Sequence, residues 1–136
     1  MTFVVDASVT LAWCFVDEAS ELADRVLDRL EHDEAVAPAI WPLEVANALR
    51  TAERRGRLDL ADVAHVRELL RALPVQVETV PLEAALGEVT ELARQLDLTA
   101  YEAAYLALAA RRGLALATVD DRLRRACGRA GVELVS

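Results

Sequence analysis

The chain has 136 residues, 54% of them hydrophobic, and its 15 basic and 23 acidic side chains give a formal net charge of −8. That length suits one domain whose core needs neither disulfides nor structural metal, and the apolar content excludes a disordered chain. Every basic residue is arginine, which excludes chemistry resting on a Schiff-base lysine, a phosphate-loop lysine or a titrating amine.

In chain order, Thr2 to Val5 reads as a first strand that stops at Asp6, after which Val9, Ala12 and Trp13 recur at helical spacing. A second helix follows Ser20, with Leu22, Val26, Leu27 and Leu30 as its apolar stripe and Glu21, Asp24, Asp28 and Glu31 on a solvated face. Ala35 to Ala37 is a brief second strand. Pro42 suits the first position of a third helix, which carries Val45, Ala46 and Leu49 inward until Gly56 stops it. Leu60, Val63, Val66, Leu70 and Leu73 stripe a fourth helix that Pro74 ends. Val75 to Glu78 is a third strand, and Leu82, Ala85, Leu86, Val89, Leu92 and Leu96 mark a fifth helix. Thr99 opens a sixth helix and Gly113 closes it. Leu114 to Thr118 is a fourth strand, Asp120 to Ala130 a seventh helix, and Val132 to Val135 a last strand.

No linker, repeat or low-complexity tract divides the chain, so residues 1–136 are expected to form a single domain. Parallel neighbours need helical crossovers, so the alternation predicts an α/β fold of three layers, α/β/α, with a central parallel sheet of about five strands and about seven helices. Cys14 and Cys127 form no C-x-x-C pair, no window is long and apolar enough to span a membrane, and no leader opens the chain; the expectation is a cytoplasmic protein.

In open sheets of this kind ligands bind beyond the carboxyl ends of the strands. Asp6, Glu44 and Asp120 each follow a strand and lead into or lie in a helix, and Glu102 falls in the first turn of the sixth helix. Singly, each is explained by helix capping, and Thr99 with Glu102 spells a capping box. Jointly, carboxylates sharing one crevice repel unless a cation joins them. The oxygen donors favour Mg²⁺ or Mn²⁺ over zinc, with the Ser8 and Thr118 hydroxyls nearby. Asn47, three residues after Glu44 and so on the same helix face, is placed for a water or a phosphate oxygen, or is plain surface.

These residues carry a resemblance. Val4-Val5-Asp6-Ala7-Ser8, Pro42-Leu43-Glu44-Val45-Ala46-Asn47-Ala48-Leu49, the run Thr99 to Ala109 around Glu102 and Tyr105, and Ala117-Thr118-Val119-Asp120-Asp121-Arg122-Leu123 are similar, in order, to the motifs of PIN-domain proteins of the VapC ribonuclease-toxin type. The resemblance implies a metal-dependent endoribonuclease, dimeric, held in check by a VapB-type antitoxin. It assigns Asp6 as central ligand, with Glu44, Glu102 and Asp120 completing one or two Mg²⁺ or Mn²⁺ sites. The family usually has aspartate where this chain has Glu102, so that residue would ligate directly, through water, or at a second ion only.

The charge is uneven. Residues 1–48 hold ten acids and two arginines, so an acidic face is available to a basic antitoxin, with helices one, two and four expected to form its apolar groove. Three arginine clusters could instead grip RNA: Arg50, Arg54, Arg55 and Arg57; Arg111 and Arg112; and Arg122, Arg124, Arg125 and Arg129. Each reads equally well as a solvated helix face. His32 and His65 read as surface, Trp13 as core, and both cysteines as small buried hydrophobes. A phosphoaspartate receiver lacks its lysine here, and a haloacid-dehalogenase-type phosphatase would need aspartate at Ser8. The competing reading from another class is a PIN-like module, weakened or inactive at Glu102, that serves as a protein-binding scaffold.

Overall fold

The computed structural model describes residues 1–136. Its elements are β1 (Thr2–Val5), α1 (Ala7–Cys14), a 3₁₀ turn (Val16–Glu18), α2 (Glu21–Arg29), β2 (Glu34–Pro38), α3 (Ile40–Arg54), α4 (Leu60–Arg71) and β3 (Val75–Glu78). There follow α5, one helix in three stretches (Leu82–Ala84, a π-helical turn at Ala85–Val89, and Thr90–Leu96), then α6 (Ala100–Arg112), β4 (Leu116–Ala117) and α7 (Asp121–Ala130). The fold is α/β, as the alternation of patterns requires.

The four strands lie parallel in the order β3-β2-β1-β4, and the register sets Val4 beside Val36 and Val5 beside Ala117. The sequence pattern predicts a fifth strand at Val132 to Val135. Only a single bridge forms there, Leu116 to Leu134, with Val135 N donating to Leu116 O at 3.0 Å. The reason is the length of β4: two residues offer an edge too short for a further ladder. The strand β1 displays the layering. Phe3, Val4 and Val5 are all buried although successive side chains point to opposite faces, so both faces of the sheet are covered. α6 packs across β1 and β2, with α5 and α7 beside it, while α1 contacts α2 and α3, and α3 contacts α4.

Local signals set most boundaries. Ser20 caps α2 by accepting from Ala23 N, and Gly113 takes the left-handed conformation (φ 65°) that ends α6. Pro42 does not open α3. The helix begins two residues earlier, and proline is tolerated in the third position because the first-turn N–H groups have no intrahelical acceptor. That shift carries Glu44 out of the first turn, and it is not a capping residue.

Trp41 is buried and its Nε1 donates to Thr10 Oγ1 at 2.9 Å, tying α3 to α1. Trp13, part-buried, donates to Ala23 O at 2.7 Å. Cys127 lies in the core and Cys14 is half-buried, both as free thiols that burial holds up at about 11. No helix is long and apolar enough to cross a membrane.

Candidate active site at the carboxyl ends of β1 and β4

From β1 the chain runs outward in one direction through β2 to β3, whereas β4 lies on the other side of β1. The order of strands reverses between β1 and β4, and it is beyond the carboxyl ends of strands at such a reversal that open α/β sheets bind ligands. Asp6 follows β1 and Asp120 follows β4, so both acids stand at that place.

Asp6 continues the ladder, its N–H donating to Ala117 O at 3.2 Å, and then caps α1 by accepting from Val9 N at 3.0 Å. Ser8 Oγ lies 2.7 and 2.9 Å from the two Asp6 carboxylate oxygens. Ser8 Oγ also lies 3.3 Å from Thr118 Oγ1. Val119 N donates to Ser8 Oγ and Asp120 N to Thr118 Oγ1, each at 3.0 Å. A polar chain thus runs Asp6, Ser8, Thr118, Asp120 across the two strand ends.

Only 4% of Asp6 is exposed, and its carboxyl is pushed up to about 6. Burial is the main cause; the Thr118 and Ser8 hydroxyls and the Val9 N–H act against it, and the Asp120 carboxylate adds to it. No arginine offsets the charge. Asp120 caps α7, its Oδ1 accepting from Arg122 N at 2.8 Å and Leu123 N at 3.3 Å.

Glu44 arrives from α3 and accepts a 2.5 Å hydrogen bond from the Tyr105 hydroxyl of α6. Tyr105 is buried, and its phenol is pushed far above its ordinary value, first by burial, then by the bond to Glu44 and the charges of Glu44 and Asp6. It therefore stays a donor. The charges of Glu44 and Asp6 thus both bear on Tyr105, and that of Asp120 on Asp6. Asn47 is exposed one helical turn from Glu44.

Glu102 is placed differently. Its carboxylate accepts from Thr99 N at 2.9 Å while Thr99 Oγ1 accepts from Glu102 N at 3.0 Å, the reciprocal capping box, and Arg122 approaches it at 3.9 Å. As the side chains stand, no three acidic, histidine or cysteine residues converge closely enough to hold an ion. His32 and His65 are exposed and take no part. Tyr105 is the site residue that the reading of acids passed over. Its spacing was the available signal, because three residues after Glu102 means the same face of α6.

An apolar groove of about 450 Å³ lies elsewhere, between α3 and α4, lined by Trp41, Val45, Leu49, Val63 and Leu70 with Arg50, Arg67 and Arg71 among its walls. The charged residues of this groove are mainly basic, and a second cavity lies between the end of α1 and α4, lined by Cys14, Phe15, Val16, Asp62, His65 and Val66. The acidic residues Glu21, Asp24 and Asp28 lie apart from the α3–α4 groove, on α2.

Known proteins resemble this chain over most of its length. The PIN domain family matches residues 3–129. Ribonuclease VapC3 of Pyrobaculum aerophilum is 32% identical over 123 residues, 90% of this chain and 92% of that protein. Ribonuclease VapC3 of Mycobacterium tuberculosis is 37% identical over 126 residues, 90% of this chain and 85% of its relative. Among solved structures, PAE2754 from Pyrobaculum aerophilum superposes with a TM-score of 0.71 at 26% identity, over 93% of this chain and 84% of the other. VapBC2 from Rickettsia felis, bound to a DNA fragment from its promoter, superposes with a TM-score of 0.69 at 8% identity, over 99% and 98%, a likeness of fold.

Proposed function

The chain belongs to the PIN-domain family, and from that premise we propose that it is a metal-dependent endoribonuclease that hydrolyses RNA phosphodiester bonds as the toxin of a toxin–antitoxin pair. The observation that carries the reading is Asp6: a buried carboxylate at the strand-order reversal, beside a second acid and without a cationic partner. An all-oxygen donor set fits a hard divalent ion, Mg²⁺ or Mn²⁺. Asp6, Glu44 and Asp120 would hold it, with Glu102 joining on release from Thr99. When bound, such an ion supplies a more acidic water and neutralises charge developing on the phosphate.

The chain's own residues position. Ser8 and Thr118 fix Asp6 and the start of α7 relative to each other, and Tyr105 fixes Glu44. Asn47 offers an amide to a phosphate oxygen from the same face as Glu44. The partners proposed are an RNA substrate, a VapB-type antitoxin and a second copy of the chain.

The reading is tested by incubating the purified chain with RNA and Mg²⁺ or Mn²⁺, with and without EDTA, beside Asp6→Asn. Cleavage that both EDTA and the substitution abolish is expected, and its absence with either ion overturns the reading. One observation favours the alternative of a non-catalytic binding module: Glu102 is engaged by Thr99 and approached by Arg122. Cleavage by the wild-type chain removes that alternative.

A further inference from the structure

Of the three arginine clusters in the sequence, the fold neutralises one and half of another. Arg111 donates to Glu88 at 2.9 Å and to Glu78 at 3.0 Å, and Arg112 lies 3.7 Å from Glu78. Arg57 is held by Asp17 at 3.0 Å and sits over the Phe15 ring, while Arg50 reaches Glu53 at 3.6 Å. Arg54 and Arg55 remain, but at the far end of α3, about 15 Å along the axis from Glu44.

The α7 cluster keeps its charge. Arg122 Nη2 donates to Asp97 O at 2.5 Å and Arg129 Nη2 to Gln95 O at 3.3 Å. Backbone carbonyls fix the guanidinium groups without cancelling them, and most of the five N–H donors on each stay free. Arg122 has one distant carboxylate, Glu102 at 3.9 Å, and neither Arg125 nor Arg129 forms an ion pair. The three stand at i, i+3 and i+7, on one face of α7, where like charges repel. Together they line a cleft of about 370 Å³ against the turn at Leu96 to Leu98, with Leu96, Leu98 and Ala126 as its apolar surface and Asp97 as the one acid. α7 is capped by Asp120, so the row of arginines begins at the edge of the acidic site.

We propose that this cleft holds the RNA strand next to the phosphodiester that is cut, an inference that rests on the nuclease reading above. Three guanidinium groups spread over about 10.5 Å of helix match a length over which a strand presents more than one phosphate. The apolar wall suits a ribose or the flat face of a base, and arginine stacks on bases as well as pairing with phosphate. The asymmetry also answers how a chain of net charge −8 approaches a polyanion: the whole excess of acid lies in residues 1–48, residues 49–136 carry as many arginines as acids, and the α7 cations flank the site.

The test separates this inference from the reading beneath it. In an Asp6→Asn background with EDTA present, binding of a fluorescein-labelled, mixed-sequence, single-stranded oligoribonucleotide is measured by anisotropy across a salt series. Adding Arg125→Gln and Arg129→Gln, which keep much of the side-chain stem, should weaken binding about tenfold or more and make the log–log salt slope shallower by roughly 1.4, about 0.7 for each lost phosphate contact. Arg25→Gln on α2 should change neither. In the active chain the same pair should raise KM for RNA and leave kcat within about threefold. Unchanged affinity and slope, with the wild-type chain cleaving RNA, overturn the cleft assignment alone and leave the arginines to an acidic protein segment. No cleavage by the wild-type chain overturns the nuclease reading and this inference together.

Discussion

The Tyr105 hydroxyl on α6 donates to Glu44 Oε1 on α3 at 2.5 Å, joining helices whose residues are 61 positions apart. Glu44, placed beyond the first turn of its helix, has no backbone N–H to cap, and this bond gives its carboxylate a direction. Hydrogen bonds to charged groups contribute about 1.5–3 kcal/mol, and partial solvent access to Glu44 lowers that. Tyr105→Phe should therefore lose about 1 kcal/mol in urea unfolding while reducing RNA cleavage about tenfold. An equal activity in Tyr105→Phe would show that Glu44 needs no such support.

Much of this arrangement was legible in the sequence because its causes are local. β1 and β3 begin and end where the apolar runs do, and Ser20, Thr99 and Gly113 delimit helices by hydrogen bonds within a few residues. Asp6, Asp120 and Glu102 were visible as helix starts, and all three do cap. What the sequence hid depends on separate segments meeting. The Tyr105–Glu44 bond, the Trp41–Thr10 bond and the neutralisation of Arg111 by Glu78 and Glu88 each need the finished fold. The last strand failed for a similar reason: Val132 to Val135 has strand composition, but a ladder needs a partner edge, and β4 supplies two residues.

The elevated Asp6 carboxyl has a definite consequence for stability. Its value of about 6 in the fold exceeds the ordinary 3.8. The folded chain thus binds this proton more tightly than the unfolded chain, so ionised Asp6 destabilises the fold above about pH 6, and the penalty is relieved as pH falls toward 4. Two pH units correspond to roughly 3 kcal/mol as an upper limit. Without divalent metal, Asp6→Asn should be more stable than wild type at pH 7.5, and the difference should shrink by pH 4.5. Urea midpoints at the two pH values measure it; a difference independent of pH would show that Asp6 ionisation does not strain the fold.

Asp120 separates capping from chemistry in one substitution. Asparagine caps helices about as well as aspartate, so Asp120→Asn should leave thermal stability nearly unchanged while the acceptor for Arg122 N and Leu123 N persists. Loss of one ligand charge should nonetheless lower RNA cleavage by orders of magnitude and weaken Mn²⁺ binding in calorimetry. Retained cleavage with retained stability would leave Asp120 a cap and nothing more.

Glu102 poses the opposite problem, since its carboxylate is already used by Thr99 N. A capping box accepts glutamine in place of glutamate, so Glu102→Gln should unfold within about 0.5 kcal/mol of wild type, whereas Glu102→Ala should lose about 1 kcal/mol with the cap. The charge is a separate matter. If the carboxylate swings from Thr99 to the acidic site when a divalent ion is bound, Glu102→Gln should cut RNA at least tenfold more slowly despite its intact stability. Glu102→Asp, which restores the shorter acid usual in this family, should retain activity or raise it. Activity assays and urea unfolding on the three variants decide between the roles: full cleavage by Glu102→Gln would confine Glu102 to the start of α6 and leave Asp6, Glu44 and Asp120 as the acids of the site.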